Sequence, residues 1–290
     1  LPDKGWDYNP SDRLAGVNKA LADKRTKSSP VLMSALDDKL ATMATISNEF
    51  TPAKTVKEAN KWAVDNNLVD YADYSGVKVD VANAFNESLF EHIRDFPELR
   101  INQEFIGTIQ AQVKKWRDYE IKSYLIELKK LNPEINEKEL KKYAEEAIKE
   151  IIIDNRLAQS SERNGVKGIA VNKVFGHQSK RLAQDIKDAV DSQWYPAGCD
   201  SIKSLANHEM GHQLTTYLDL SNDEELLSLY YQYDNKYNNH SYLSEYAFEN
   251  IYEFIAEGWN EFRSSNAPRI LSEKIGNIVI ERYNRKKLHD

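Results

Sequence analysis

His208-Glu209-Met210-Gly211-His212 is the stretch on which the reading of this chain turns. Asp200 or Ser201 can cap a helix just upstream, and Ile202, Leu205, Ala206 and Leu214 supply apolar positions around the five residues. The motif therefore lies inside a helix. Residues four apart share a helix face, which puts both imidazoles where one Zn²⁺ could take them at about 2.0–2.1 Å. Glu209 would lie beside the metal, where a carboxylate can take a proton from water whose pKa the ion lowers to about 7. The other reading is a surface helix with two satisfied histidines. It would leave three very polar side chains close together on a partly buried helix, where unpaired charge is costly.

A catalytic zinc needs a third protein ligand and keeps its fourth position open. The extended pattern H-E-x-x-H-x-x-G-x-x-H would require Gly at 215 and His at 218, but the chain has Thr215 and Leu218. The third ligand must come from another element. Downstream, Glu249, Glu253 and Glu257 stand at four-residue spacing on one predicted helix, with Phe248, Ile251, Tyr252, Ile255 and Trp259 interleaved. Acids along one face of an apolar helix call for a cation there.

The block Tyr246-Ala247-Phe248-Glu249-Asn250-Ile251-Tyr252-Glu253-Phe254-Ile255-Ala256-Glu257, following the motif, resembles the paired motifs of the gluzincin peptidase domain of anthrax toxin lethal factor and of the Pro-Pro endopeptidases. In those a Tyr lies seven residues before the zinc-binding Glu, and here 253 − 246 = 7. The resemblance spans about residues 150 to 265. It implies one zinc per chain held by His208, His212 and Glu253, with Glu209 as general base. Tyr246 would be the hydroxyl facing the tetrahedral intermediate, although a buried core tyrosine is the alternative for it. Glu257, one turn beyond Glu253, would orient a ligand imidazole. Glu249 reads as an exposed neighbour. In such domains an edge strand above the metal pairs with an extended substrate, and Gly168-Ile169-Ala170-Val171-Asn172 is the candidate.

A second resemblance lies at the start of the chain. Gly5-Trp6-Asp7-Tyr8-Asn9-Pro10 is similar to the segment following the head-morphogenesis domain of tailed-phage minor head proteins, although Ser11 stands where that family usually has Gly. The stretches Trp194 to His212 and Tyr246 to Glu261 also resemble the C-terminal part of some of these proteins. This implies capsid or portal proteins as partners, and a place in the virion or in the bacterial cytoplasm during assembly.

Composition bounds these readings. The net charge of −7, from 39 basic and 46 acidic residues, argues against binding duplex nucleic acid over the whole surface. Cys199 is the one cysteine, so there is no internal disulfide framework, and it reads as a small buried hydrophobe ahead of a ligand or a thiol switch. No apolar run approaches the roughly 20 residues of a membrane helix, so membrane insertion is not expected. Eleven Gly and eight Pro in 290 residues disfavour a turn-rich β-sandwich. The first residue is Leu, which reads as part of a longer chain.

The expected fold class is α+β and predominantly helical, with a zincin-like domain, a small mixed sheet and the motif on its active-site helix. Residues 1–28 read as an extended lead-in and 29–106 as a helical subdomain with helices from about Pro30, Thr55 and Val79. Residues 107–150 read as a charged helical hairpin, either a solvated decoration or a docking arm, and 151–290 as the zincin-like domain. Within the last, Ile151-Ile152-Ile153, Asn164-Gly165 and Val166 to Asn172 read as strand, turn and strand. Helices follow near 178–193, 201–219, 222–238, 244–263 and 268–287, with Pro268 in the last one's first turn. The function expected is a zinc-dependent endopeptidase acting on an extended polypeptide, within a phage or prophage minor head protein. The rivals are a zinc-stabilised virion module without turnover and a secreted effector like lethal factor. Intact Glu209 and Tyr246 favour the enzyme, because a structural zinc needs neither.

Overall fold

The computed structural model describes residues 49–148, 153–234 and 238–288. The expected lead-in, the helix from Pro30, the Gly5–Pro10 segment, Ile151 and Ile152 lie outside the described residues.

Thr55 opens the first described helix, α1 (Val56–Asp65), by accepting the amide of Glu58 through its side chain. A short strand β1 (Tyr71–Asp73) leads into α2 (Val79–Asp95), which ends ahead of Pro97, as a missing donor and a restricted preceding residue require. After a 3₁₀ turn comes β2 (Phe105–Thr108), and the Thr108 hydroxyl caps α3 (Ile109–Leu131). Asn136 caps α4 (Glu137–Ala147), which completes the charged hairpin. Next come β3 (Ala158–Ser161), β4 (Gly168–Val171), a single helical turn and α5 (Ser179–Asp191). Then follow α6 (Ile202–Leu218), α7 (Glu224–Asp234), α8 (Ile251–Ser264) and α9 (Ile270–Lys287).

The described residues are mostly helical with one small mixed sheet among them, as an α+β chain should be. The strand order is β1-β2-β4-β3: β1, β2 and β4 run parallel, and β3 returns antiparallel to β4. Gly168 sits at φ +132° where a Cβ would meet the Phe105 carbonyl oxygen at 2.1 Å, so the β2–β4 pairing demands glycine there.

Five expectations change. The expected separation of 29–106 from 151–290 does not hold across the sheet, because β1 and β2 lie on one side of that boundary and β3 and β4 on the other. The described residues between 49 and 288 fall in a single unit. Among the described residues, the strand that pairs with β4 across the turn is Ala158–Ser161, and Ile153 lies outside it. Its polar composition suits a strand with only Ala158 fully buried. Gly168, Ile169, Ala170 and Val171 are not an edge strand: β4 is paired on both sides and buried, so its backbone groups are already used. Asn172 lies past its end and caps the following helical turn. The edge strand touching the motif helix is β3. Finally, the expected helix over 244–263 is two elements, a 3₁₀ turn at Tyr246–Phe248 and then α8, because Asn250 is extended and caps Tyr252 and Glu253. Pro268 precedes the cap Arg269 rather than lying in the first turn of α9.

The motif helix is central. On one side α2 packs against it, with Ser88 donating to Asn207 at 2.6 Å and Lys203 bridging Glu87 and Glu91. On another, Gly211 meets α8 so closely that a Cβ would lie 2.9 Å from the Cα of Ala256. Gln213 ties it to the sheet, donating to Ser160 of β3 at 2.6 Å and accepting from Gln103 at 2.9 Å.

Candidate metal centre

Ser201 starts α6 with a reciprocal capping box to Ser204, which satisfies orphan amides and fixes the register of the residues that follow. His208 and His212 then lie one turn apart on the face turned toward α8, where Gly211 permits the close helix crossing. Asn250 starts α8 so that Glu253 falls in its first turn. Three donor atoms converge. His208 Nε2 and His212 Nε2 are 3.1 Å apart, and Glu253 Oε2 stands 3.2 and 3.3 Å from them.

Donors about 2.0–2.1 Å from one tetrahedral ion lie about 3.3 Å from one another, so this triangle has the spacing of a single metal site. Among the described residues, this is the one cluster of His, Cys, Asp and Glu that converges in this way. Glu253 Oε2 is buried and accepts no hydrogen bond, although two imidazoles face it. A buried carboxylate oxygen left so is costly, and a cation between the three groups would satisfy it. The residues fit a metal ion such as zinc: two imidazole nitrogens, one carboxylate and, among the described residues, no fourth ligating side chain within the cluster to close the site.

The electrostatics agree with a place for positive charge. Burial alone pulls the His208 imidazole down, but the carboxylates of Glu257 and Glu253 more than offset this and hold it well above the ordinary histidine range. Burial pushes Glu253 up, yet His212 and His208 outweigh it and hold the carboxyl far below the usual range. Glu257 Oε1 lies 2.6 Å from His208 Nδ1, and neither atom has another hydrogen-bonding partner. This is the imidazole-orienting position expected for Glu257.

Glu209 is buried beside the cluster and points into the cavity that His208 and Tyr246 also line. Burial raises its pKa first, and Glu253 adds to this against the two imidazoles and Arg156. A buried carboxylate beside the cluster can accept and return a proton. The Tyr246 ring stacks on His208 at 5.9 Å between centroids and packs on Trp194 at 5.4 Å. Its phenol is held above the ordinary range by burial and then by Glu253 and Glu209, so it stays a donor. Glu249 is exposed at the end of the 3₁₀ turn, as expected. Cys199 is buried in the cavity wall, its thiol pushed up by burial, which fits the inert reading.

The sequence reading missed several groups. The cavity, about 230 Å³, is also lined by Arg156, Trp194 and Tyr195. Arg156 forks onto Asp154 just ahead of β3, and Tyr195 faces the acidic cluster. Ser244 supports Glu257, donating to Oε2 at 3.2 Å. No spacing rule ties residues 154–156, 194–195 and 244 to the motif, since long chain segments separate them. The Trp194 and Glu253 neighbourhoods meet because the amides of Glu245 and Tyr246 donate to the carbonyls of Gln193 and Trp194. The chain was compared with family models, with curated proteins and with solved structures, and it matches none of them.

Proposed function

We propose that this protein is a zinc-dependent endopeptidase of the gluzincin type, with a zincin-like fold, that hydrolyses an extended polypeptide. The observation that carries the reading is the triangle of His208, His212 and Glu253 donors at 3.1–3.3 Å with Glu209 and Tyr246 beside it. When bound, zinc would polarise a scissile carbonyl and acidify water, and it would keep an open position for both.

The chain's own residues do the rest. Glu209 takes the proton from the attacking water and returns it to the leaving amine, which needs a carboxylate shielded from bulk solvent. Tyr246 donates its phenol to the oxyanion of the tetrahedral intermediate. Glu257 holds the His208 ring so that Nε2 faces Glu253. The free edge of β3 offers backbone groups to an extended chain, and the cavity between Ala158, Leu205 and Trp194 is of a size for one side chain of it. The place in a phage or prophage head protein, in the virion or the bacterial cytoplasm, is part of this proposal and rests on the resemblance.

The test combines metal analysis with cleavage of a peptide library by the wild type and Glu209→Gln. One zinc per chain and cleavage by the wild type alone are expected. Zinc with no cleavage of any peptide would turn the reading toward a zinc-stabilised binding module.

A further inference from the structure

Two parts of the site come from different elements: the ligand His208 on α6, steadied by Glu257 on α8, and Tyr246, in the 3₁₀ turn ahead of α8. One side chain touches both supports. Ser244 is fully buried, and its hydroxyl accepts the amide of Ala247 at 3.1 Å, inside the turn that carries Tyr246. The same hydroxyl donates its proton to Glu257 Oε2 at 3.2 Å, while Glu257 Oε1 stands 2.6 Å from His208 Nδ1. A serine oxygen has one proton to give and lone pairs to accept, so these roles are compatible and direction is set. The amide can only donate, which leaves the hydroxyl proton for the carboxylate.

The surroundings show that this segment is held for position. Arg269 donates to the carbonyls of Ser241 and Leu243 and pairs with the buried Glu261, one turn beyond Glu257. The amides of Glu245 and Tyr246 are fixed on the 193–194 carbonyls. With the chain anchored on both sides of Ser244, its hydroxyl can transmit a displacement of Glu257 to the Tyr246 turn, and the reverse.

We propose that Ser244 is a positioning residue that couples the two halves of the site, holding Glu257 against His208 and the Tyr246 turn over the metal centre through one hydroxyl. This rests on the zinc reading above. Ser244 touches neither metal nor substrate, and its effect passes through Glu257 and the Ala247 amide.

The experiment measures zinc affinity of the full chain by competition with a chromophoric chelator, in Ser244→Ala and Ser244→Cys. Each is made alone and with Glu257→Gln, and apo-protein melting is followed alongside. Support at a metal ligand's partner typically carries about 10–100-fold in affinity, and one step further out about tenfold is expected here. Cysteine fills the serine volume but donates weakly, so a loss in both variants assigns the effect to the hydroxyl rather than to a cavity. With Glu257→Gln present, the same substitutions should change zinc affinity by less than about twofold, since coupled groups are not additive. The visible spectrum of the Co²⁺-loaded protein should shift in Ser244→Ala, as His208 reorients.

Unchanged zinc affinity in both single variants, even with a lower apo melting temperature, would show a purely structural serine and overturn the proposal. So would an equal loss with and without Glu257→Gln. If the wild type itself takes up no zinc, the zinc reading fails and the coupling falls with it. That outcome differs from zinc-competent wild type with indifferent serine variants.

Discussion

The α3–α4 hairpin and the α6–α8 pair are both built from helices rich in ionisable residues, yet they handle charge in opposite ways. On the hairpin, Lys114–Asp118, Lys129–Glu137, Lys141–Glu145 and Lys142–Glu146 pair with the side chains largely in water. Between α6 and α8, His208, Glu209, Glu253 and Glu257 are buried or nearly so, and like-charged carboxylates converge around imidazoles. Exposed pairs contribute about 0–1 kcal/mol each and can be exchanged freely. A buried cluster is stable only if each charge has a partner, so its composition is strict. The hairpin could do without any one of its ions, whereas the helix pair brings together three donors that could hold a metal ion.

The sharpest way to break that contrast is Glu209→Gln. Zinc content and melting temperature should stay near wild type while hydrolysis falls by at least about 10²–10⁴, the usual contribution of a positioned base. Undiminished turnover would move the base elsewhere.

Next is Tyr246→Phe, which removes an oxyanion donor and keeps the ring stacked on His208. A drop in kcat of about 10²–10³ with little change in KM or zinc is expected. A loss of stability without a loss of rate would identify a core tyrosine instead.

The layer behind the site supplies a pH test. His92 is fully buried and neutral, its Nδ1 on the Ser88 carbonyl at 2.7 Å and its Nε2 accepting from Trp259 at 2.9 Å. Burial, then the Arg263 guanidinium, lowers its pKa from 6.5 to about 3. A lowered folded-state pKa means that its contribution is fully present above pH 6.5 and is lost as pH falls toward 3. By pH 5 the wild type should lose about 2 kcal/mol more than His92→Gln, measured by denaturant unfolding at each pH. Parallel pH profiles would remove His92 as the cause.

Gly211→Ala tests the close crossing that brings Glu253 to the histidines. With a Cβ 2.9 Å from Ala256 Cα, backbone must shift, and a stability loss of about 1–3 kcal/mol with weaker zinc binding is expected. The smallest effect belongs to the hairpin: Lys141→Ala should change unfolding free energy by less than about 0.5 kcal/mol, fading further in salt. A larger change would mean that the hairpin face is not simply solvated.

The motif helix, its cap region and the candidate ligands His208 and His212 were legible in the residues, because local spacing on a helix dictates which side chains share a face. Spacing left Glu249, Glu253 and Glu257 open as the third ligand, and only the resemblance singled out Glu253. The helices from Thr55 and Val79 and the charged hairpin were legible for the same reason, since capping residues and proline act within a turn or two. Tertiary structure decided what spacing cannot reach. The short strands β1 and β2 escaped notice because three or four residues carry too little periodicity, and their pairing with β4 joins segments far apart in the chain. Only that pairing shows β4 to be interior and β3 to be the edge. Tyr195, Arg156 and Ser244 reach the site by long-range packing and backbone hydrogen bonds around Trp194. A sequence determines local dihedral preference and amphipathic faces directly. Which faces meet depends on burial summed over the whole chain, and here on one glycine that lets two helices approach.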